Sequence, residues 1–167
     1  MLFRSGVETC MGLGYVQSGK TTSISALCAL AGDAGYRVVV AILGSTVLLK
    51  DQNRRRIEEN LGFQEKNYRW GLLENLNPQR GPAELASLIA KGRTVFIPVI
   101  KNATVLRKLA RVLESIDLSD AKALIIDDEA DQATVNTAKP DRQPSRINGL
   151  IRDIVNKVPK SAYVGYT

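Results

Sequence analysis

Residues Arg37 to Leu43 read Arg-Val-Val-Val-Ala-Ile-Leu, with no polar side chain after the first position. A strand with one wet face alternates apolar and polar residues. An unbroken β-branched run needs cover on both faces, as inside a parallel sheet. Thr94 to Ile100 and Ala123 to Ile126 are runs of the same kind. Pro98 cannot donate to a ladder, so it argues for an edge position for the first of these. Parallel strands need long crossovers, and the intervening segments carry helical periodicity. Residues 19–34 place Ile24, Leu27, Cys28, Leu30 and Ala31 on one face, and Gly35 closes the helix. Residues 47–60 set Leu48, Leu49 and Ile57, with Leu61, against Lys50, Arg54, Arg55 and Arg56. Pro82 opens a helix carrying Leu85, Leu88 and Ile89. Residues 103–116 turn Val105, Leu109, Val112 and Ile116 inward, and residues 146–158 do so with Ile147, Leu150, Ile151, Ile154 and Val155. Residues 9–16 and 162–166 read as the first and last strands. Residues 62–81, which hold Trp70, read as an irregular insert or a short strand, and 132–145 as a polar loop. The alternation predicts an α/β fold over residues 1–167 as one domain. It has a parallel sheet, helices on both faces and right-handed crossovers.

The chain has no histidine, which excludes Ser-His-Asp and Cys-His catalysis and argues against a zinc site. Its two cysteines, Cys10 and Cys28, fall in apolar segments and read as core residues of a protein in the reducing cytoplasm. No apolar run is long enough to span a bilayer, so no membrane partner is expected. A net charge of +6 favours polyanionic partners such as nucleotides and nucleic acid.

Residues 14–21 read Gly-Tyr-Val-Gln-Ser-Gly-Lys-Thr, the spacing G-x-x-x-x-G-K-T of a phosphate-binding loop. Gly14 and Gly19 allow a tight turn and close backbone approach to a ligand. Backbone N–H groups from Gln17 and Ser18 through Gly19 to Thr21 and Thr22 can then cradle phosphates at the positive end of a helix. In this pattern Lys20 reaches the β- and γ-phosphates of ATP, and the Thr21 hydroxyl ligates Mg²⁺. The fold expectation sharpens accordingly to a P-loop NTPase.

The second motif is Asp127-Asp128-Glu129-Ala130-Asp131 after the apolar strand. A phosphate-loop enzyme needs one carboxylate for magnesium and another for the attacking water. Asp128 is assigned to the metal and Glu129 to the water. Asp127 is a rival for the metal, since a shift of one residue exchanges the two.

Phosphate loop, Asp128-Glu129-Ala130-Asp131 and the closing Val164-Gly165-Tyr166-Thr167 follow the order of the first RecA-like lobe of superfamily 2 helicases. The chain resembles most closely the Z1-domain family, helicase-like ATPases of bacterial restriction and defence systems. Leu43-Gly44-Ser45-Thr46, Asp51-Gln52-Asn53 and Val99-Ile100-Lys101-Asn102 carry the rest of the likeness. The resemblance implies a RecA-like sheet, ATP and Mg²⁺ as ligands, and ATP hydrolysis driving movement on DNA. In that family the last strand runs on as Gly-Tyr-Thr-Ala-Thr-Pro into a second lobe that supplies an arginine finger. The expectation is therefore one lobe of a larger motor, which binds ATP but turns it over slowly.

Loops of helicase lobes touch a nucleic-acid backbone. Ser45, Thr46, Lys50, Arg54, Lys101, Asn102 and Thr104 are the corresponding residues here. No ladder of aromatic residues suggests base reading. A stand-alone kinase is the alternative, with Lys139, Arg142 and Arg146 imitating a lid. Another is a non-catalytic nucleotide sensor. A GTPase is disfavoured because Asn156-Lys157-Val158-Pro159 lacks the aspartate that reads guanine.

Overall fold

In the computed structural model, the described residues are 8–12 (backbone only), 19–63, 69–130 and 146–167. Strands β1 (Glu8–Gly12), β2 (Tyr36–Ile42), β3 (Trp70–Leu72), β4 (Thr94–Val99), β5 (Lys122–Asp127) and β6 (Lys160–Tyr166) form one sheet. Helices α1 (Lys20–Asp33), α2 (Val47–Asn60), α3 (Gly81–Ala90), α4 (Ala103–Glu114) and α5 (Arg146–Lys157) connect them. The sheet is six-stranded, in the order β1-β6-β5-β2-β4-β3, and every pairing is parallel. The fold is thus α/β, with helices packed on both faces.

Strand parity divides the core in two. Val38, Val40, Ile42, Val95, Ile97, Val99, Ala123 and Ile125 face α3, α4 and α5. Val39, Ala41, Leu43, Phe96, Leu124 and Ile126 face α1 and α2. The central strands are buried on both sides, which is why their sequences do not alternate. This division follows from chain direction. Crossovers out of β1 and β2 run one way along the sheet, and those out of β3, β4 and β5 run the other. Crossovers of one hand must then lie on opposite faces.

Three expectations need correcting. Leu30 of α1, expected on the inward face, is exposed. β4 is an interior strand, not an edge. Pro98 is tolerated there because Thr94 and Phe96 bond toward β3, whose last residue is Leu72, and Pro98 shares their parity. Its missing N–H would point past the end of β3, where no strand waits. The region around Trp70 forms the true edge, β3. In α2 the first turn is exposed: Leu48 and Leu49 lie outside the core, whereas Ile57 is fully buried. α2 therefore holds to the sheet by its C-terminal half. Among the described residues, no helix is long and apolar enough to cross a membrane.

Candidate functional site

Ligands of open parallel sheets gather beyond the carboxyl ends of the strands, where neighbouring crossovers part to opposite faces. That edge is level here, because the register pairs Gly12 with Tyr166, Gly165 with Asp127, Asp127 with Ile42, and Ile42 with Val99. The loops leaving β2, β4 and β5 therefore emerge side by side, level with the end of β1. β6 separates the strand leading to the Gly-Lys-Thr segment from the strand leading to the acidic cluster.

Gly14, Gln17 and Ser18 lie outside the described residues, as do Lys139 and Arg142. Gly19 is described and caps α1 in the left-handed region, at φ 78°. A Cβ there would meet nothing within 4 Å, so backbone conformation, not crowding, is what glycine supplies. No side chain among the described residues caps α1. The first N–H groups of the helix, those of Lys20, Thr21 and Thr22, are the ones an intrahelical ladder leaves over. Lys20 and Thr21 are half-buried and Thr22 is exposed.

On β5, parity decides between the two aspartates. Ile125 and Asp127 share the face of α3–α5, and Ile126 and Asp128 share the face of α1. A shift of one residue would exchange them, but the buried pattern fixes the register. Asp127 is fully buried: Lys101 Nζ lies 2.5 Å from its Oδ1, and the Tyr163 hydroxyl donates to its Oδ2 at 3.0 Å. These contacts give Asp127 a structural role at the strand end. Asp128 is buried toward α1, and its backbone N–H donates to Ile42 O at 2.9 Å. Its Oδ1 is shielded from solvent and has no hydrogen-bond partner among the described residues. Burial pushes the Asp128 carboxyl above the usual carboxylate range, opposed first by the positive charge of Lys20. A buried carboxylate oxygen without a donor is costly. Here the charge of Lys20 is the leading compensation.

Glu129 follows in the left-handed region, at φ 64°, the one non-glycine residue with positive φ among those described. Such a conformation costs about 1–3 kcal/mol and persists where the surroundings over-determine it. It turns the chain from the α1 face to the opposite one. Ala130 then packs over Gly165, where any Cβ would come within 3.0 Å of the Ala130 Cβ. Lys101 Nζ donates to the Glu129 carbonyl at 2.8 Å. The Glu129 side chain is half-buried.

The seven residues expected to meet nucleic acid divide. Ser45, Thr46, Asn102 and Thr104 are exposed. The Thr46 hydroxyl caps α2 by accepting from Leu49 N, and Asn102 Oδ1 caps α4 by accepting from Thr104 N. Lys50 pairs with Asp51 at 3.0 Å, and Arg54 pairs with Glu58 and Glu74 at 3.1 and 3.2 Å. Lys101 departs most from expectation. Its side chain is 5% exposed and turned inward, so it does not line an outer surface. Parity explains this, since Lys101 continues the Val95, Ile97, Val99 series that faces α4. The sequence reading missed Lys101 in this role, together with Tyr163, Gly165, and the Ser23–Tyr166 contact that joins α1 to β6 at 3.0 Å. Alternation along β4 and β6 is the signal that points to the first three.

The donor set suits a magnesium nucleotide. The start of α1, which has no side-chain cap and carries Lys20 and Thr21, and the buried Asp128 carboxylate, which feels the Lys20 charge, are the groups that could take part. No family profile matches the sequence, and no curated protein matches it.

Proposed function

We propose that this chain binds ATP with Mg²⁺ and hydrolyses it, as a P-loop, RecA-like first motor lobe of a helicase-like DNA translocase. The observation that carries the reading is the buried Asp128 carboxylate. Its unpartnered oxygen lies on the α1 face of the sheet, under the charge of Lys20. Perturbed carboxylates of this kind concentrate at functional sites. The N–H groups at the start of α1 receive the phosphates, and Lys20 binds the β- and γ-phosphates. Thr21 and Asp128 would hold the magnesium ion, which when bound neutralises charge building on the transferred phosphoryl group. Few protein ligands suffice, because Mg²⁺ is usually bound by one or two carboxylates plus phosphate and water. Glu129 orients the attacking water and takes its proton. The water oxygen bonds to the γ-phosphorus as the bond to the β–γ bridging oxygen breaks, leaving ADP and phosphate.

The translocase role rests on the likeness to Z1-domain ATPases, and exposed Ser45 and Thr104 supply backbone contacts to DNA at the same strand edge. Thermal denaturation with and without Mg-ATP tests the reading. At a ligand concentration of about 100 Kd, binding adds about 2.7 kcal/mol of stability. Wild type gains this and Lys20→Ala does not; equal stabilisation of both refutes the proposal. Phosphate released to water, not carried to an acceptor, separates hydrolysis from kinase chemistry. DNA affinity should fall steeply with salt, and a flat dependence removes the DNA arm.

A further inference from the structure

We propose that Lys101 is a positioning residue for the hydrolytic step, holding Glu129 in its left-handed conformation from two strands away. The inference rests on the ATPase reading for its kinetic consequence but not for its geometry. Lys101 leaves the tip of β4 and reaches past β2 to β5. There its ammonium meets two groups at once, Asp127 Oδ1 at 2.5 Å and the Glu129 carbonyl at 2.8 Å. Asp127 is itself held from the other side by the Tyr163 hydroxyl of β6 at 3.0 Å. Side chains of three strands are thus linked in one chain of contacts, and through Lys101 that chain reaches one backbone carbonyl, that of the residue with positive φ.

The backbone at Glu129 fixes the direction in which its side chain leaves the chain. A lysine bound only to Asp127 would be a buried ion pair with no bearing on that direction. The bond to the Glu129 carbonyl links the pair to the reacting carboxylate without touching substrate. Neighbouring Asp128 is held independently, by its own N–H bond to Ile42 O. Lys101 therefore bonds directly to the backbone of the water-orienting group, while Asp128 keeps its own backbone anchor and feels Lys101 and Asp127 only as opposite charges.

The test uses Lys101→Met and the double variant Lys101→Met/Asp127→Asn. The double variant removes both charges and keeps the fold accessible if the single one, with an unpaired buried carboxylate, fails to fold. Isotope-labelled protein without nucleotide is read first, through the amide–α-proton coupling and Cα shift of Glu129. These are expected to report positive φ in wild type and its loss in the double variant. Single-turnover ATP hydrolysis is read second. In the double variant the rate constant should fall about 10- to 100-fold while the thermal shift with Mg-ATP stays at the wild-type value. Glu129 remaining at positive φ in the folded double variant overturns the proposal, as does hydrolysis at the wild-type rate. Wild type that shows positive φ at Glu129 but neither binds nor hydrolyses ATP refutes the function instead, and the coupling measurement still decides the role of Lys101.

Discussion

The Ser23 hydroxyl and the Tyr166 hydroxyl lie 3.0 Å apart, joining the first turn of α1 to the last residue of β6. This bond ties the helix expected to receive phosphate to the strand between β1 and β5. Ser23 is exposed and can turn to water if its partner is lost. Tyr166→Phe should therefore cost no more than about 1 kcal/mol in urea unfolding. Tyr166→Ala also empties the ring's place in the core cluster on the α1 face and should cost about 3–5 kcal/mol. A large loss in the phenylalanine variant would mean that the hydroxyl is structural in a way this contact does not explain.

Asp128→Asn should separate stability from binding. Removing a buried charge that has no donor for one oxygen lifts a desolvation penalty, so stability to urea should rise by about 1 kcal/mol. Stabilisation by Mg-ATP should be lost in the same protein. A variant that is both less stable and still stabilised by Mg-ATP would contradict the role given to this carboxylate.

Gly165→Ala tests the turn from the side of β6. The new methyl would stand 3.0 Å from the Ala130 Cβ, and a Cβ fixed to backbone cannot swing aside as a long side chain can. Overpacking of this kind costs about 1–3 kcal/mol. Chemical-shift changes should centre on 128–130, beyond the strand end. A neutral substitution with unshifted Glu129 resonances would show that the turn has more room than the geometry implies.

Cys28 is fully buried in the α1 face of the core, and burial pushes its thiol up to about 12. At pH 8 it stays protonated in the folded protein and should resist iodoacetamide, while in urea it should react fully. Peptide mapping reads this residue by itself. Because the folded value is raised, the unfolded state loses its proton first. Stability from this group is thus complete below pH 9, the ordinary thiol value, and declines as pH rises toward 12. Rapid native alkylation of Cys28 would refute its burial.

Much of this arrangement is legible in the chain before any coordinates. Val38 to Leu43 announce a strand buried on both faces because neither parity offers a polar residue. Helix faces follow from spacing, except at exposed Leu30 of α1 and in α2. There Leu48 and Leu49 match the period but project from the turn before the helix reaches the sheet. Periodicity shows which residues share a face and not where along a helix packing begins. Pro98 misled because the backbone rule concerns a missing donor, and whether a donor is needed depends on where the neighbouring strand stops. Asp127 and Asp128 were separable in principle by counting from Ile125 and Ile126. The sequence alone points to Lys101 as a surface cation, because lysine is seldom buried. Only the three-strand arrangement shows the carboxylate and carbonyl that hold it there.

β1 pairs with β6 along its whole length, Glu8 against Ala162 through Gly12 against Tyr166. Among the described residues it meets no other strand in the sheet. During synthesis β1 must therefore wait for its partner β6 until nearly everything between them has left the ribosome. Closing so long a loop is entropically slow, and a lone β-strand with open edges is prone to wrong partners in the meantime. The segment that leads into the glycine-lysine turn is thus the last to be locked down. Until β6 arrives, the nascent chain has the acidic end of β5 but no strand to hold the glycine-lysine turn beside it.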